Sequence, residues 1–425
     1  MQKGQMENSS RSNSKRTVVV TGMGIVSSIG LSRGEVRKSL YSGKSGVVLL
    51  DERKNLGFRS GLSGIIRGFE NRPDLERKYR KTLPEFGLWA YDAISQALDQ
   101  ARVDRKILAR DNNTGLIFGN DSSVVTGVEQ CDMLRAAGGT RGIGSGHIFR
   151  LLTSTITLNL CTKFQLHGSA WSVSGACASG AMAIGQAAEL IATGKQDRMI
   201  CGGAQEISWQ SMCSFDAIGA FSRREDEPVK ASRPFDKKRD GLVPSGGAAA
   251  LFLEDKESAM KRGAVIIAEI CGYGTSSDGY HISVPSGEGL DRAMRLAISD
   301  AGLKSADIEM VMAHATSTQA GDQKEAEALS RLFEIKDGGK SPKIVVTKSL
   351  TGHEFWMAGA SQVVYGLLMS QAGFVAGHPN LDHPDECIKG LDVPDRTIIA
   401  SPQYFLCNAA GFGGVNGCLV VKDVR

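Results

Sequence analysis

The chain has 425 residues, 41% of them hydrophobic, which is enough to bury a large core in two domains or in one pseudo-duplicated unit. Its net charge of +4, with acids and bases mixed along the sequence, is too balanced for a nucleic-acid binder and leaves room only for a local basic patch. The nine cysteines are odd in number and scattered without CxxC pairs or Cys/His ligand spacing, which argues against a disulfide framework and a metal site and fits a reducing cytoplasm.

Residues 1–16 are polar, rich in Ser, Asn and Lys, and contain no signal-peptide-like apolar stretch, so they read as a disordered extension. No apolar run of about 18 residues, the least that spans a bilayer, occurs anywhere, so no membrane is expected as a partner. Thr17-Val18-Val19-Val20-Thr21-Gly22-Met23-Gly24 reads as a strand ending in a GxG turn, followed by a helix over 85–101 and a buried strand at Leu116-Ile117-Phe118. A second helix covers 178–194, and Arg198-Met199-Ile200-Cys201 and Ala249-Ala250-Leu251-Phe252-Leu253 read as buried strands. Val265-Ile266-Ile267-Ala268-Glu269-Ile270-Cys271-Gly272-Tyr273-Gly274 then repeats the opening strand and its GxG. Helices over 290–301, 322–333 and 358–372, with a strand at Val345-Val346, complete a second half. The alternation implies α/β layers and a weak internal repeat. Although Thr21-Gly22-Met23-Gly24 begins like a dinucleotide fingerprint, Ser27 replaces its third glycine and no acidic ribose ligand follows a second strand.

In Ser172-Val173-Ser174-Gly175-Ala176-Cys177-Ala178-Ser179-Gly180, a small-residue turn leads straight into the helix over 178–194. A thiol at a helix N-terminus meets unpaired amides and the positive end of the macrodipole, so the expectation is a stabilised thiolate and a backbone N–H free to bind an oxyanion. Downstream lie His314-Ala315-Thr316-Ser317-Thr318, Lys348-Ser349-Leu350-Thr351-Gly352-His353 and Asn408-Ala409-Ala410-Gly411-Phe412-Gly413-Gly414. In this order the segments closely resemble the active-site motifs of β-ketoacyl-acyl carrier protein synthases of the elongating Cys-His-His type. The resemblance runs from about Thr17 to Val424, and Ser276-Ser277-Asp278-Gly279 leans toward the type I subgroup.

The resemblance implies a thiolase-like α/β fold of two βαβαβαββ halves in five layers, divided into residues 17–266, which carry the nucleophile, and 267–425, which carry the histidines and a gating loop. It implies that Cys177 is the nucleophile and that the amides of Cys177 and Phe412 form its oxyanion hole, with the Phe412 ring gating the acyl pocket. It implies that His314 and His353 polarise a malonyl thioester, that Lys348 with Glu325 tunes the electrostatics beside them, and that Thr316 and Thr318 bind the phosphopantetheine arm. No resident cofactor is expected. The expected partner is an acidic acyl carrier protein docked on Arg77, Lys78 and Lys81, with Arg141 in a second patch, and the expected assembly is a homodimer or a heterodimer with a related subunit.

The chain departs from the family pattern around the acyl pocket. Leu242 replaces an aromatic residue, and Glu354-Phe355-Trp356-Met357 after His353 is much bulkier than usual. Ser122 stands where some relatives constrict the acyl tunnel, and a small side chain there permits longer chains, whereas the bulk of Phe355 and Trp356 close to the catalytic centre acts against them, so the sequence leaves the length limit open between the two. These departures motivate an alternative, a specialised ketosynthase of a type II polyketide or polyene pathway. A non-elongating partner subunit is weaker, because Cys177 and both histidines are present.

Overall fold

The computed structural model describes residues 15–70 and 75–424. Each half carries the same succession of elements. The first runs β1 (Val18–Ser27), α1 (Glu85–Gln100), β2 (Thr114–Gly119), α2 (Thr155–Phe164), β3 (Ala170–Val173), α3 (Ser179–Ala192), β4 (Arg198–Gln205) and β5 (Gly247–Asp255). The second runs β6 (Ala268–Ser277), α4 (Glu288–Asp300), β7 (Met310–Met312), α5 (Gln319–Leu332), β8 (Lys343–Val345), α6 (Ala358–Ala372), β9 (Tyr404–Ala410) and β10 (Val415–Asp423).

Among the described residues these strands form one hydrogen-bonded succession, β8-β7-β9-β10-β6-β1-β5-β4-β2-β3. Read outward from the centre, both halves have the same order and sense. β1 pairs antiparallel with β5 and β5 with β4, while β4–β2 and β2–β3 are parallel. β6–β10 and β10–β9 are likewise antiparallel, and β9–β7 and β7–β8 parallel. The halves join through a short antiparallel contact, Val19 with Glu269 and Val20 with Ala268.

Side-chain alternation builds the layers. On β5, Ala248, Ala250 and Phe252 face a core shared with α1 and α2, whereas Ala249, Leu251 and Leu253 face one shared with α3 and α6. α4 and α5 cover the outer face of the second half. The result is five layers, with α3 and α6 between two sheets. α6 is buried on every side from Ala358 to Ser370, which is why its sequence lacks a polar face.

Two expectations change. The GxG pairs do not end their strands, since β1 and β6 run straight through them. A Cβ on Gly22 would lie 1.9 Å from the Ala97 carbonyl oxygen, and one on Gly272 2.1 Å from that of Ala297. The glycines are there to let α1 and α4 approach their strands. The polar extension over residues 1–14 lies outside the described residues, but residues 15 and 16 are tied down. Arg16 N donates to Ala192 O at 2.9 Å and its side chain pairs with Asp197 at 2.7 Å, while Lys15 pairs with Asp300 at 2.6 Å.

Candidate active site

Corresponding connections of the two halves meet at the centre. Cys177 lies between β3 and α3, and His353 between β8 and α6, the matching place in the other half. What lets them meet is the packing of the two central helices at their N-termini. A Cβ on Gly180 would lie 2.9 Å from Ala360 N, and one on Gly359 2.5 Å from Ala181 N. Sγ of Cys177 is 3.2 Å from Nε2 of His353. His314, which follows β7, sets its ring 5.3 Å from that of His353 in an edge-on arrangement.

Each of the three is held by a turn containing a non-glycine residue with left-handed φ: Ala176 (47°) before Cys177, Ala315 (21°) after His314 and Phe355 (41°) beyond His353. Side chains and a neighbouring backbone segment hold these strained turns. Ser179 Oγ accepts from Gly175 N at 2.9 Å and donates to Ala176 O at 2.6 Å. The Asp121 carboxylate accepts from Ala176 N at 3.1 Å. Glu325 accepts from the backbone N–H of His314 (2.7 Å) and Ala315 (2.6 Å) and from the Asn408 side chain (3.2 Å). His353 N donates to Val243 O at 2.7 Å, and Ser245 N to His353 O at 2.8 Å.

Burial dominates the electrostatics. It pushes the Cys177 thiol up to about 12, a trend that Lys348 opposes and Asp121 reinforces. Burial thus opposes the thiolate that the helix N-terminus and Lys348 favour. Both imidazoles sit well below their ordinary value, first from burial and then from the Lys348 charge, so both are neutral at physiological pH. Burial also lowers Lys348, and the carboxylates of Glu325 and Glu354 are foremost among the groups opposing it. Glu325 itself is raised by burial, against three hydrogen bonds that favour its anion.

A cavity of about 280 Å³ gathers Cys177, His314, His353 and Glu325 with Thr316, Thr318, Leu242, Phe355 and Phe412 along its walls. Thr316 and Thr318 hydroxyls lie 3.0 Å apart. Lys348 is buried beneath the histidines, and the Phe412 ring is 41% exposed at the mouth. A Cβ on Gly411 would lie 3.1 Å from Cys177 N, so the Phe412 turn packs directly on the cysteine turn. Ser122 and Trp356 lie behind this wall, with Trp356 Nε1 donating to Ser122 Oγ at 3.0 Å. The room expected at Ser122 is thus taken by an indole. Arg77, Lys78, Lys81 and Arg141 are all exposed and do not line the cavity. A Cβ on Gly146 would lie 2.2 Å from Lys81 O, which sets the Arg77–Arg80 turn and Lys81 beside the loop that carries Arg141.

Several residues at the site were not singled out from sequence. Phe215 stacks on Phe412 (centroids 5.8 Å apart, 17° between planes) and meets Phe355 at 4.9 Å. Glu354 is buried among hydroxyls, accepting from Tyr365 (2.7 Å), Ser27 (3.2 Å) and Ser361 (2.5 Å). Asp322 accepts from Ser317 N (3.0 Å) and Phe235 N (2.8 Å), and burial raises it to about 7. The one available signal was Glu354 itself, an acid standing directly after a histidine in an otherwise apolar run.

The N-terminal domain of beta-ketoacyl synthase matches residues 15–259 and the C-terminal domain of that family matches residues 267–382. The chain belongs to the β-ketoacyl synthase family. It is 38% identical over 410 residues to 3-oxoacyl-[acyl-carrier-protein] synthase 1 of Haemophilus influenzae, covering 96% of this chain and 99% of that protein. Its identity to 3-oxoacyl-[acyl-carrier-protein] synthase 1 of Escherichia coli is 37% over 412 residues, 96% of this chain and 100% of the relative. Among solved structures, a beta-ketoacyl synthase from Burkholderia phymatum superposes with a TM-score of 0.91 at 34% identity, covering 97% of this chain and 100% of that one. The ishigamide ketosynthase/chain length factor gives 0.86 at 28% identity, with the same coverage.

Proposed function

We propose that this β-ketoacyl synthase performs the decarboxylative condensation of fatty acid elongation, joining an acyl chain held on Cys177 to malonyl-acyl carrier protein to give 3-oxoacyl-acyl carrier protein. The observation that carries the residue assignment is the 3.2 Å contact between Cys177 Sγ and His353 Nε2, with His314 beside it in one buried cavity.

In the first half-reaction, Sγ attacks the thioester carbonyl of the incoming chain, its proton passes to His353 and leaves on the pantetheine thiol. The developing oxyanion is held by the amides of Cys177 and Phe412, whose turns pack directly on one another. In the second, malonyl loses CO2 and the electron pair of the broken bond enters an enolate whose oxygen accepts hydrogen bonds from His314 and His353. That carbon then attacks the Cys177 thioester, breaking its C–S bond, and the released Cys177 thiolate takes a proton from solvent water. Neutral imidazoles suit both duties, since they donate to an enolate without needing to be charged. Lys348, with Glu325 opposite it, keeps them so, while Thr316 and Thr318 hold the pantetheine arm at the mouth.

The acyl carrier protein is the partner, docked on Arg77, Lys78 and Lys81 with Arg141 alongside, where opposite charge speeds encounter. A dimer is supported by β3, an edge strand bearing the exposed Trp171, and by exposed Ile148, Phe149 and Leu152 in the segment leading to α2. All nine cysteines are free thiols, which supports a reducing compartment such as the cytoplasm. Among the described residues no helix is long and apolar enough to cross a membrane.

Mass spectrometry after incubation with acyl carrier protein thioesters tests this reading. One acyl group should appear on Cys177, and a label on another cysteine, or one surviving Cys177→Ala, refutes it.

A further inference from the structure

On its apolar side the cavity is lined by Leu242 and Phe355 beside Cys177, and neither Ser122 nor Trp356 reaches it. Beyond that wall Phe58, Met212, Phe221 and Trp356 are buried against one another as a continuous cluster. An acyl chain bound to Sγ must therefore fit in front of Phe355 or displace it.

Phe355 is braced against displacement. Its ring lies flat on His353, with centroids 4.6 Å apart and 22° between planes, and it meets Phe215 on another side at 4.9 Å. Its left-handed φ of 41° is a conformation that a bulky residue holds only when its neighbours impose it. Both neighbours are anchored. Glu354 is gripped by the hydroxyls of Ser27, Tyr365 and Ser361. Trp356 donates its indole N–H to Ser122, and its carbonyl oxygen would lie 3.0 Å from a Cβ on Gly180 and 2.9 Å from one on Gly203. A one-residue swing of Phe355 would have to break one of these anchors, because helix α3 and strand β4 leave the backbone no space.

We infer that Phe355 and Trp356, the latter pinned by Ser122, form a fixed floor to the acyl site that restricts this synthase to short acyl chains. The inference rests on the proposed condensation at Cys177 and specifies its substrate. Without a floor, each added methylene would gain burial in an apolar tunnel and longer chains would react as well as short ones. With one, the first methylene that does not fit costs a factor on the order of 10 or more.

The test is the rate of Cys177 acylation from butyryl, octanoyl, dodecanoyl and hexadecanoyl carrier protein, followed by intact-protein mass spectrometry. The wild-type protein should label fastest with butyryl, and its hexadecanoyl rate should be lower by a factor on the order of 100. Hexadecanoyl labelling within about threefold of butyryl overturns the floor, because a single misfit methylene already exceeds that factor. Trp356→Gly should raise the hexadecanoyl-to-butyryl ratio by a factor on the order of 10, whereas Trp356→Phe, which keeps bulk, should hold it near the wild-type value. Should the glycine variant fail to fold, the wild-type profile and Ser122→Ala, which frees the indole and should move the ratio the same way, still decide. An unmoved ratio in every folded variant overturns the role of Trp356. If Cys177 takes up no acyl chain of any length, the proposed condensation itself fails, a different result from a flat length profile.

Discussion

The β3–α3 connection and the β8–α6 connection occupy the same place in two halves of identical strand order, yet one supplies Cys177 and the other His353. The turn before α3 is all small residues, so the thiol sits at the head of the helix on a strained Ala176. Its counterpart is longer, adds the one-turn helix Lys348–Thr351, and places a lysine, a histidine and a buried glutamate within seven residues. In the proposed reaction the two halves share the chemistry: a nucleophile from one half, and from the other the group that takes its proton. Neither half holds a complete site.

The comparison is broken most severely by removing one side. Cys177→Ala should abolish acyl transfer and condensation together, whereas His353→Ala and His314→Ala should retain measurable acylation of Cys177 and lose a factor on the order of 100–1000 in malonyl decarboxylation, the usual loss when one oxyanion donor is removed. Single-turnover assays separate the steps. Normal decarboxylation in both histidine variants would falsify the division of labour between the halves.

The next test asks whether the halves are mechanically equivalent. Gly22→Ala and Gly272→Ala place a Cβ 1.9 and 2.1 Å from the carbonyl oxygens of Ala97 and Ala297, the same clash in each half. Each should destabilise by about 1–3 kcal/mol, the usual cost of overpacking, and by similar amounts. Chemical denaturation measures both. A large loss in one variant with none in the other means that only one helix depends on the close approach.

Much of this was legible beforehand, for reasons that differ by element. The central helix Ala358–Ala372 has the bounds its apolar run predicts, and β4 and β5 follow from runs that can only be buried. Cys177, His314 and His353 were recognisable from the motifs around them. The role of the GxG glycines was not, because a tight turn and a close helix–strand contact ask for the same residue. Nor was the state of the thiol, since a helix N-terminus is visible in sequence and the depth of burial over it is not. The contact between Trp356 and Ser122 spans 234 positions, and no local pattern announces it.

A smaller effect sharpens the electrostatic side of the junction. Lys348 holds both histidines down and opposes the upward push on Cys177. Lys348→Met removes a positive charge, so both histidine pKa values should rise and that of Cys177 should rise further. Protonation of the imidazoles abolishes their role as neutral donors, so the acid limb of kcat/KM against pH should move to higher pH in the variant. An unmoved acid limb would mean that burial alone keeps the rings neutral.

The smallest expected effect lies far from the junction, where the proposed docking residues Arg77, Lys78, Lys81 and Arg141 should act only on encounter. These side chains are solvent-exposed, and Lys78 also rests over the Tyr79 ring at 4.7 Å, so none is committed to the fold as Lys348 is. Exposed charges more than about 10 Å apart are screened at roughly 0.1 M salt, whereas the buried charge of Lys348 is not. Reversing Arg77, Lys78 and Lys81 to glutamate should therefore raise KM for acyl carrier protein by about tenfold at low ionic strength, and the gap from wild type should shrink as salt is added. The rate of acylation from a small pantetheine thioester, which carries no acidic protein surface, should be the same in both proteins. A loss with the small thioester as well would place these residues in the fold or the chemistry, and a KM equal to wild type at low salt would make the cluster a merely solvated face. Salt dependence is what tells the two regions apart: at the junction charge acts through a few ångströms of protein, and on the docking face it acts through water.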